Sequence, residues 1–171
     1  QKGPGAMHAP WLISLAAGLV VGGLSQVSRL CTVGGFRDLF LFKKSVLIFG
    51  YLAVLVGVFV VNISFGNFHL GFENQPIAHT DGLWNFLGMA LAGFCSVLLG
   101  GCPLRQLIMT GEGNSDSAVT VLGLAAGAAF AHNFGLAASG AGPTLNGEIA
   151  VVVGFIVALI IAVVNTKRAN A

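Results

Sequence analysis

The chain has 171 residues, of which 56% are hydrophobic and only 8% charged, with a formal net charge of +2 and a mean hydropathy of +0.89. Soluble domains carry about 25% charged residues, so this composition excludes an ordinary water-soluble domain and calls for lipid as the solvent. The small net charge, with no basic run beyond Lys43-Lys44 and Lys167-Arg168, excludes nucleic acid as a partner.

In chain order, residues 1–10 are polar and hold two prolines, which reads as a terminal loop or a linker between two halves of a longer protein. Residues 11–28 form a first apolar run long enough to span a bilayer. Trp11 sits at its edge as an interfacial anchor, and Gly18, Gly22 and Gly23 offer a face for close helix packing. The stretch from Arg29 to Phe42 follows, with an apolar piece too short to cross and too apolar for a surface loop. Residues 45–63 are a second span, and 64–80 a mixed loop containing His69, Glu73 and His79. Asp81 is a helix N-cap for a third span over 83–99. Gly100-Gly101-Cys102-Pro103 breaks that helix, and 104–110 is a second piece too short to span. After the polar turn 111–116, residues 117–138 and 147–164 are the fourth and fifth spans, and 165–171 a basic tail.

This pattern predicts an all-α integral membrane protein. Five transmembrane helices and two short re-entrant half-helices occupy a membrane domain over 11–164. The basic residues Arg37, Lys43, Lys44, Arg105, Lys167 and Arg168 collect at one side, which orients the N-terminus outward and the C-terminus toward the cytoplasm of a prokaryotic inner membrane. Residues 11–63 and 83–138 follow one plan: a span, a cysteine, a short apolar piece with an arginine, a stop, then another span. Interrupted segments at matching places in two repeats are a sequence pointer to a transport site.

The three cysteines, Cys31, Cys95 and Cys102, suggest no disulfide framework, and the absence of CxxC or Cys/His spacing predicts no metal. Cys102 falls at the start of a half-helix, where free N–H groups and the helix dipole favour anions; the plainer reading is a buried cysteine at a helix break. Cys31 is its counterpart in the first repeat. Cys95, two helical turns before Cys102, would share its face if the helix continued; it also reads as an ordinary core residue. Arg37 and Arg105 would raise the local anion concentration, or simply anchor helix ends. Glu112 and Asn114 fit a gating turn or, more plainly, a cap for the next helix. His132 and Asn133 are polar residues inside a span, functional by default or an interhelical hydrogen bond. No Walker A motif or hydrolase elbow is present, and no cofactor is expected.

The strings Cys31-Thr32-Val33-Gly34-Gly35-Phe36-Arg37-Asp38 and Gly100-Gly101-Cys102-Pro103-Leu104-Arg105-Gln106-Leu107-Ile108, with Gly111-Glu112-Gly113-Asn114 and Ala131-His132-Asn133-Phe134, resemble the YeeE/YedE family of sulfur-transport membrane proteins. The resemblance runs from about His8 to the end of the fifth span and is closest to the branch associated with selenium metabolism. It implies half-helices around an hourglass-shaped interior, with cysteines contacting the substrate sulfur in turn. Cys102 is the strongest match and Cys31 the next, while Cys95 sits in no matching motif. Full members are about twice this length, so the chain looks like a C-terminal half that pairs with another half or copy. The expected function is passage of a small thiosulfate-like or selenium anion. The alternatives are a membrane sulfurtransferase or selenotransferase holding a persulfide-type adduct on Cys102, and a structural subunit.

Overall fold

A computed structural model describes residues 9–66, 68, 70, 71 and 79–169. The start of the N-terminal loop, most of the loop holding His69 and Glu73, and the end of the tail lie outside them. Seven helices are present among the described residues: α1 (Trp11–Ser28), α2 (Thr32–Phe42), α3 (Val46–Ser64), α4 (Gly82–Leu98), α5 (Pro103–Gly111), α6 (Ser115–Asn133) and α7 (Leu145–Ala169). No strand occurs there; the one β element is an isolated bridge between Ser139 and Gly142.

At 1.5 Å per residue, the 18, 19, 17, 19 and 25 residues of α1, α3, α4, α6 and α7 reach about 26–38 Å, close to or beyond the roughly 30 Å of a bilayer core. Among the described residues, four apolar runs are long enough to cross: Trp11–Phe42, Val46–Ser64, Gly82–Gly111 and Leu145–Thr166. The fifth long helix, α6, is more polar at its ends, with Asp116 in its first turn and His132 and Asn133 in its last. The 11 residues of α2 and the 9 of α5 reach only about half of the hydrocarbon thickness.

Helix ends follow local chemistry. Asp81 accepts from the Trp84 N–H at 3.3 Å and starts α4; Asn114 accepts from the Ser117 N–H at 2.9 Å and starts α6. Two boundaries differ from the sequence expectation. Helix α6 ends at Asn133 rather than 138, because Gly135 turns left-handed (φ 62°) and the Leu136 N–H returns to the Ala131 carbonyl. Helix α7 runs past 164 into the expected tail: Thr166 bonds back to the Ala162 carbonyl at 2.8 Å, and no glycine or proline stops the chain.

The two repeats share a backbone plan. Helix α2 folds back on α3 and α5 folds back on α6, while α7 packs on α4 and smaller contacts join α1 to α5 and α2 to α4. Their breaks have the same hydrogen bonds. In the first, Arg29 is left-handed (φ 51°) and the Leu30 N–H bonds the Ser25 carbonyl; in the second, Gly100 is left-handed (φ 74°) and the Gly101 N–H bonds the Ser96 carbonyl. Cys31 and Cys102 each come next, at the N-cap of the short helix.

The burial pattern is inverted relative to a soluble domain. The buried residues include Ser25, Gly35, Ser96, Gly101, Cys102, Gln106 and Ser117, with Ala158, whereas Leu, Val, Ile and Phe side chains face outward along the long helices. In lipid, large apolar groups gain nothing by leaving the surface, and small residues permit close backbone approach. Gly35 shows this: a Cβ there would sit 3.5 Å from the Ile48 backbone of α3. The α1 glycines behave differently from expectation. Gly18, Gly22 and Gly23 have nothing within 4 Å of a Cβ and line an open groove of about 630 Å³ against α5. Within this chain α1 meets α5 through the Gln26–Arg105 contact rather than through a glycine face.

Candidate functional site

The structure brings Cys31 and Cys102 together. The start of α2 and the start of α5 come from different repeats, and their N-cap cysteines are neighbours. Cys31 is half-buried and its sulfur accepts from the Gly34 N–H at 3.3 Å. That bond explains the glycine: a Cβ at position 34 would lie 3.3 Å from the Cys31 Cβ. Cys102 is buried, at 8% exposure. It makes no side-chain cap bond, and its neighbours are Arg105, Thr32 and Leu104. Thr32 belongs to α2 and the other two to α5. Two helix N-termini therefore present their free donors and positive dipole ends to one small region.

Pro103 fits this arrangement as the first residue of α5, where a missing N–H costs nothing. Gln106 braces the turn. It is 4% exposed, and its Nε2 donates to the Leu99 carbonyl at 2.9 Å, back across the Gly100-Gly101 break. Gly101 lies close by: a Cβ there would be in ordinary contact with Arg105 at 3.4 Å and the Gln106 amide at 3.6 Å. Replacing Gln106 with leucine is expected to leave the Leu99 carbonyl without this partner and destabilise the fold by about 0.5–1.5 kcal/mol. The Cys102 turn should loosen with it. Faster alkylation of Cys102 in folded Gln106→Leu protein, compared with wild type, would show this; an unchanged rate would remove the bracing role.

Arg105 reaches away from the sulfur pair. Its guanidinium donates to the Gln26 Oε1 at 3.4 Å and lies 3.7 Å from Glu112, joining the end of α1 to both ends of α5. Arg37 pairs with its neighbour Asp38 at 2.9 Å on an exposed surface. It also lines a cavity of about 350 Å³ between α2 and α4, together with Gly34, Gly93, Val97 and Gly100. Of its lining residues, Gly34 abuts Cys31 and Gly100 lies two residues before Cys102.

The other expected residues lie elsewhere. Cys95 is half-buried, and α4 ends at Leu98, so it does not continue onto the Cys102 turn. It lines a separate groove of about 1290 Å³ with Gly127, Phe130, Gly154 and Ala158 of α6 and α7. Asn114 caps α6. His132 and Asn133 are exposed at the far end of α6, where Asn133 bonds back to the Ala129 carbonyl at 2.9 Å. Among the described residues neither is hydrogen-bonded to the cysteine pair, and no cluster of three metal-binding side chains exists. Sequence reasoning missed Gln26 and the bracing role of Gln106. It also missed Ser25 and Ser96, whose carbonyls fix the two breaks. The signal was present, because each serine precedes its cysteine by the same interval.

Residues 27–170 match the protein family described as sulphur transport. The thiosulfate transporter TsuA of Escherichia coli (strain K12) is 29% identical over 111 residues, a stretch covering 63% of this chain and 30% of that protein. The chain therefore spans under a third of that relative's length in the match. No solved structure matches it.

Proposed function

Because the chain belongs to the sulphur-transport family of multi-pass membrane proteins, we propose that it carries a small sulfur-containing anion across the membrane, by way of Cys31 and Cys102. The observation that carries this reading is the placement of two free, neighbouring thiols at the N-caps of the two short helices. A thiosulfate-like anion has two needs. Its charge must be stabilised once water is left behind, which unpaired N–H groups and helix dipoles do. Its terminal sulfur is soft and weakly hydrated, and a thiol is a closer match to it than a hydroxyl or carboxylate. Cys31 and Cys102 stand where both needs are met. A selenium oxyanion or selenide has the same two requirements and belongs to the same substrate class.

In this reading α2 and α5 stop partway across the bilayer and place the sulfur pair in its interior. The N-terminus lies outside and the C-terminus in the cytoplasm, as the basic residues favour. Arg37, beside the 350 Å³ cavity, draws anions toward the pair. A second half or a second copy of the chain completes the enclosure, consistent with the greater length of the related transporter.

The experiment is uptake of ³⁵S-thiosulfate into proteoliposomes of defined lipid. Uptake should saturate, be competed by unlabelled thiosulfate, and be little affected by sulfate, which offers charge without soft sulfur. Uptake no faster than in protein-free liposomes would end the proposal. A stable persulfide on Cys102, found by mass spectrometry with no transfer of label to the lumen, would mark a sulfurtransferase instead.

A further inference from the structure

We propose that a cavity of about 260 Å³ between the starts of α4 and α7 binds a primary ammonium group, R–NH₃⁺, through Glu148, His79 and Asn85. The cavity includes neither Cys31 nor Cys102. His79, Trp84, Asn85 and Met89 line it from the α4 side, and Glu148 and Val151 from α7. Two polar groups among these residues lack partners. The His79 Nδ1 is buried and has no hydrogen-bond partner among the described residues. Glu148 is half-buried and forms no ion pair or side-chain hydrogen bond there. Polar groups withdrawn from water without a partner cost free energy, so a pocket that holds two of them calls for an occupant. Asn85 adds a third: its Nδ2 donates to the His79 carbonyl at 3.2 Å, which leaves its Oδ1 as an acceptor.

The chemistry of the three groups selects the ligand. A carboxylate, a neutral imidazole in its Nε2–H tautomer and an amide oxygen are all acceptors, and a primary ammonium carries three N–H donors with one positive charge. Glu148 stands in the first turn of α7, where a carboxylate is well placed. The neighbouring sequence supplies no counter-ion for it, because residues 45–104 and 106–166 contain no lysine or arginine. A bare metal ion fits less well: no cluster of three metal-binding side chains exists among the described residues. Trp84, Met89 and Val151 give the alkyl part of an amine an apolar wall, and an indole face attracts an organic cation. The volume lies below the roughly 300–1,000 Å³ of sites for drug-sized ligands, so the occupant is small. Trp84 is in the first turn of α4, and tryptophan favours the headgroup level of a bilayer. The ammonium group therefore has two sources, the headgroup of a phosphatidylethanolamine lipid or a free amine from water.

The test uses the full chain carrying Trp11→Phe, which leaves Trp84 as the sole tryptophan of the original two. In nanodiscs of phosphatidylcholine and phosphatidylglycerol, Trp84 emission is followed during titration with ethanolamine hydrochloride. A saturable change is expected, with binding roughly tenfold or more weaker in Glu148→Gln. His79→Ala, on a different element, should weaken it as well, so the result does not hang on the folding of one variant. Asp116→Asn, outside the cavity, should bind as the parent does. A second arm uses nanodiscs that contain phosphatidylethanolamine, with native mass spectrometry of the lipids the protein retains. Selective retention of phosphatidylethanolamine that is lost in Glu148→Gln identifies the lipid headgroup as the source. Ethanolamine binding of equal strength in both kinds of nanodisc identifies a free amine. No Trp84 response to ethanolamine together with no selective lipid retention would overturn the proposal. So would a response unchanged in Glu148→Gln, or one matched by sodium chloride at the same concentration. Choline bound as tightly as ethanolamine would overturn it too, because a quaternary ammonium has no N–H to donate.

Discussion

Cys102→Ala is expected to lower thiosulfate uptake by roughly tenfold to a hundredfold, while Cys95→Ala stays near wild type. The size follows from the contact removed. A hydrogen bond to a charged group is worth about 1.5–3 kcal/mol, which converts to that range of rate or affinity. The contrast follows from position. Cys102 is buried beside Cys31 at the N-cap of α5, whereas Cys95 faces the α4–α7 groove. Cys102→Ser separates sulfur chemistry from local structure, because it keeps a small polar group at the N-cap of α5. Serine protein that stays monodisperse in detergent yet loses uptake supports a role for the soft atom. Serine protein with full uptake would show that the position needs only a small polar group.

Gly147→Ala should have the largest effect on stability, about 2–3 kcal/mol, read as a lower melting temperature in detergent. A Cβ there would lie 2.5 Å from the Leu136 carbonyl oxygen and 3.1 Å from the Thr144 hydroxyl. The collision is with backbone, so rotating a side chain does not relieve it. This corner joins α6 to α7 by a short network: the Gly147 N–H donates to the Thr144 hydroxyl at 3.0 Å, that hydroxyl donates to the Gly135 carbonyl at 2.7 Å, and the Asn146 amide donates to the Phe134 carbonyl at 3.3 Å. Moving Leu136 would strain all three bonds. Gly123→Ala is the control, since its Cβ meets nothing within 4 Å and alanine is the better helix former by about 1 kcal/mol. Equal melting temperatures for the two variants would contradict the close approach at Gly147.

The helices were legible because lipid imposes a coarse requirement: about 20 apolar residues per crossing, with polar or glycine-rich stops between them. The beginnings of α4 and α6 were readable from Asp81 and Asn114, whose side chains act locally. The end of α6 was not, since Leu136 to Ala138 continue the apolar run and only the left-handed Gly135 ends the helix. The repeat was visible in outline, and the equivalence of Cys31 and Cys102 followed from it. Their closeness was implied only by the expectation of two re-entrant segments around one interior, because no local rule says that two breaks so far apart in sequence face one another. Cys95 misled for the opposite reason: its spacing from Cys102 is helical, but Leu99-Gly100-Gly101 interrupts the helix that the spacing assumes. Gln106 was overlooked because a glutamine in a short apolar segment gives no sign that it reaches back to its own preceding turn.

The duplicated backbone is furnished differently on its two sides. Where the second repeat has Gln106 tying its bend to the Leu99 carbonyl, the first has Gly35, which serves close contact with α3, and its bend is held on the side-chain level by the Ser28 hydroxyl donating to the Ser25 carbonyl at 3.4 Å. The two bends are thus braced over different reaches: a buried glutamine amide bonds a carbonyl seven residues back in one, and a serine hydroxyl bonds a carbonyl three residues back in the other.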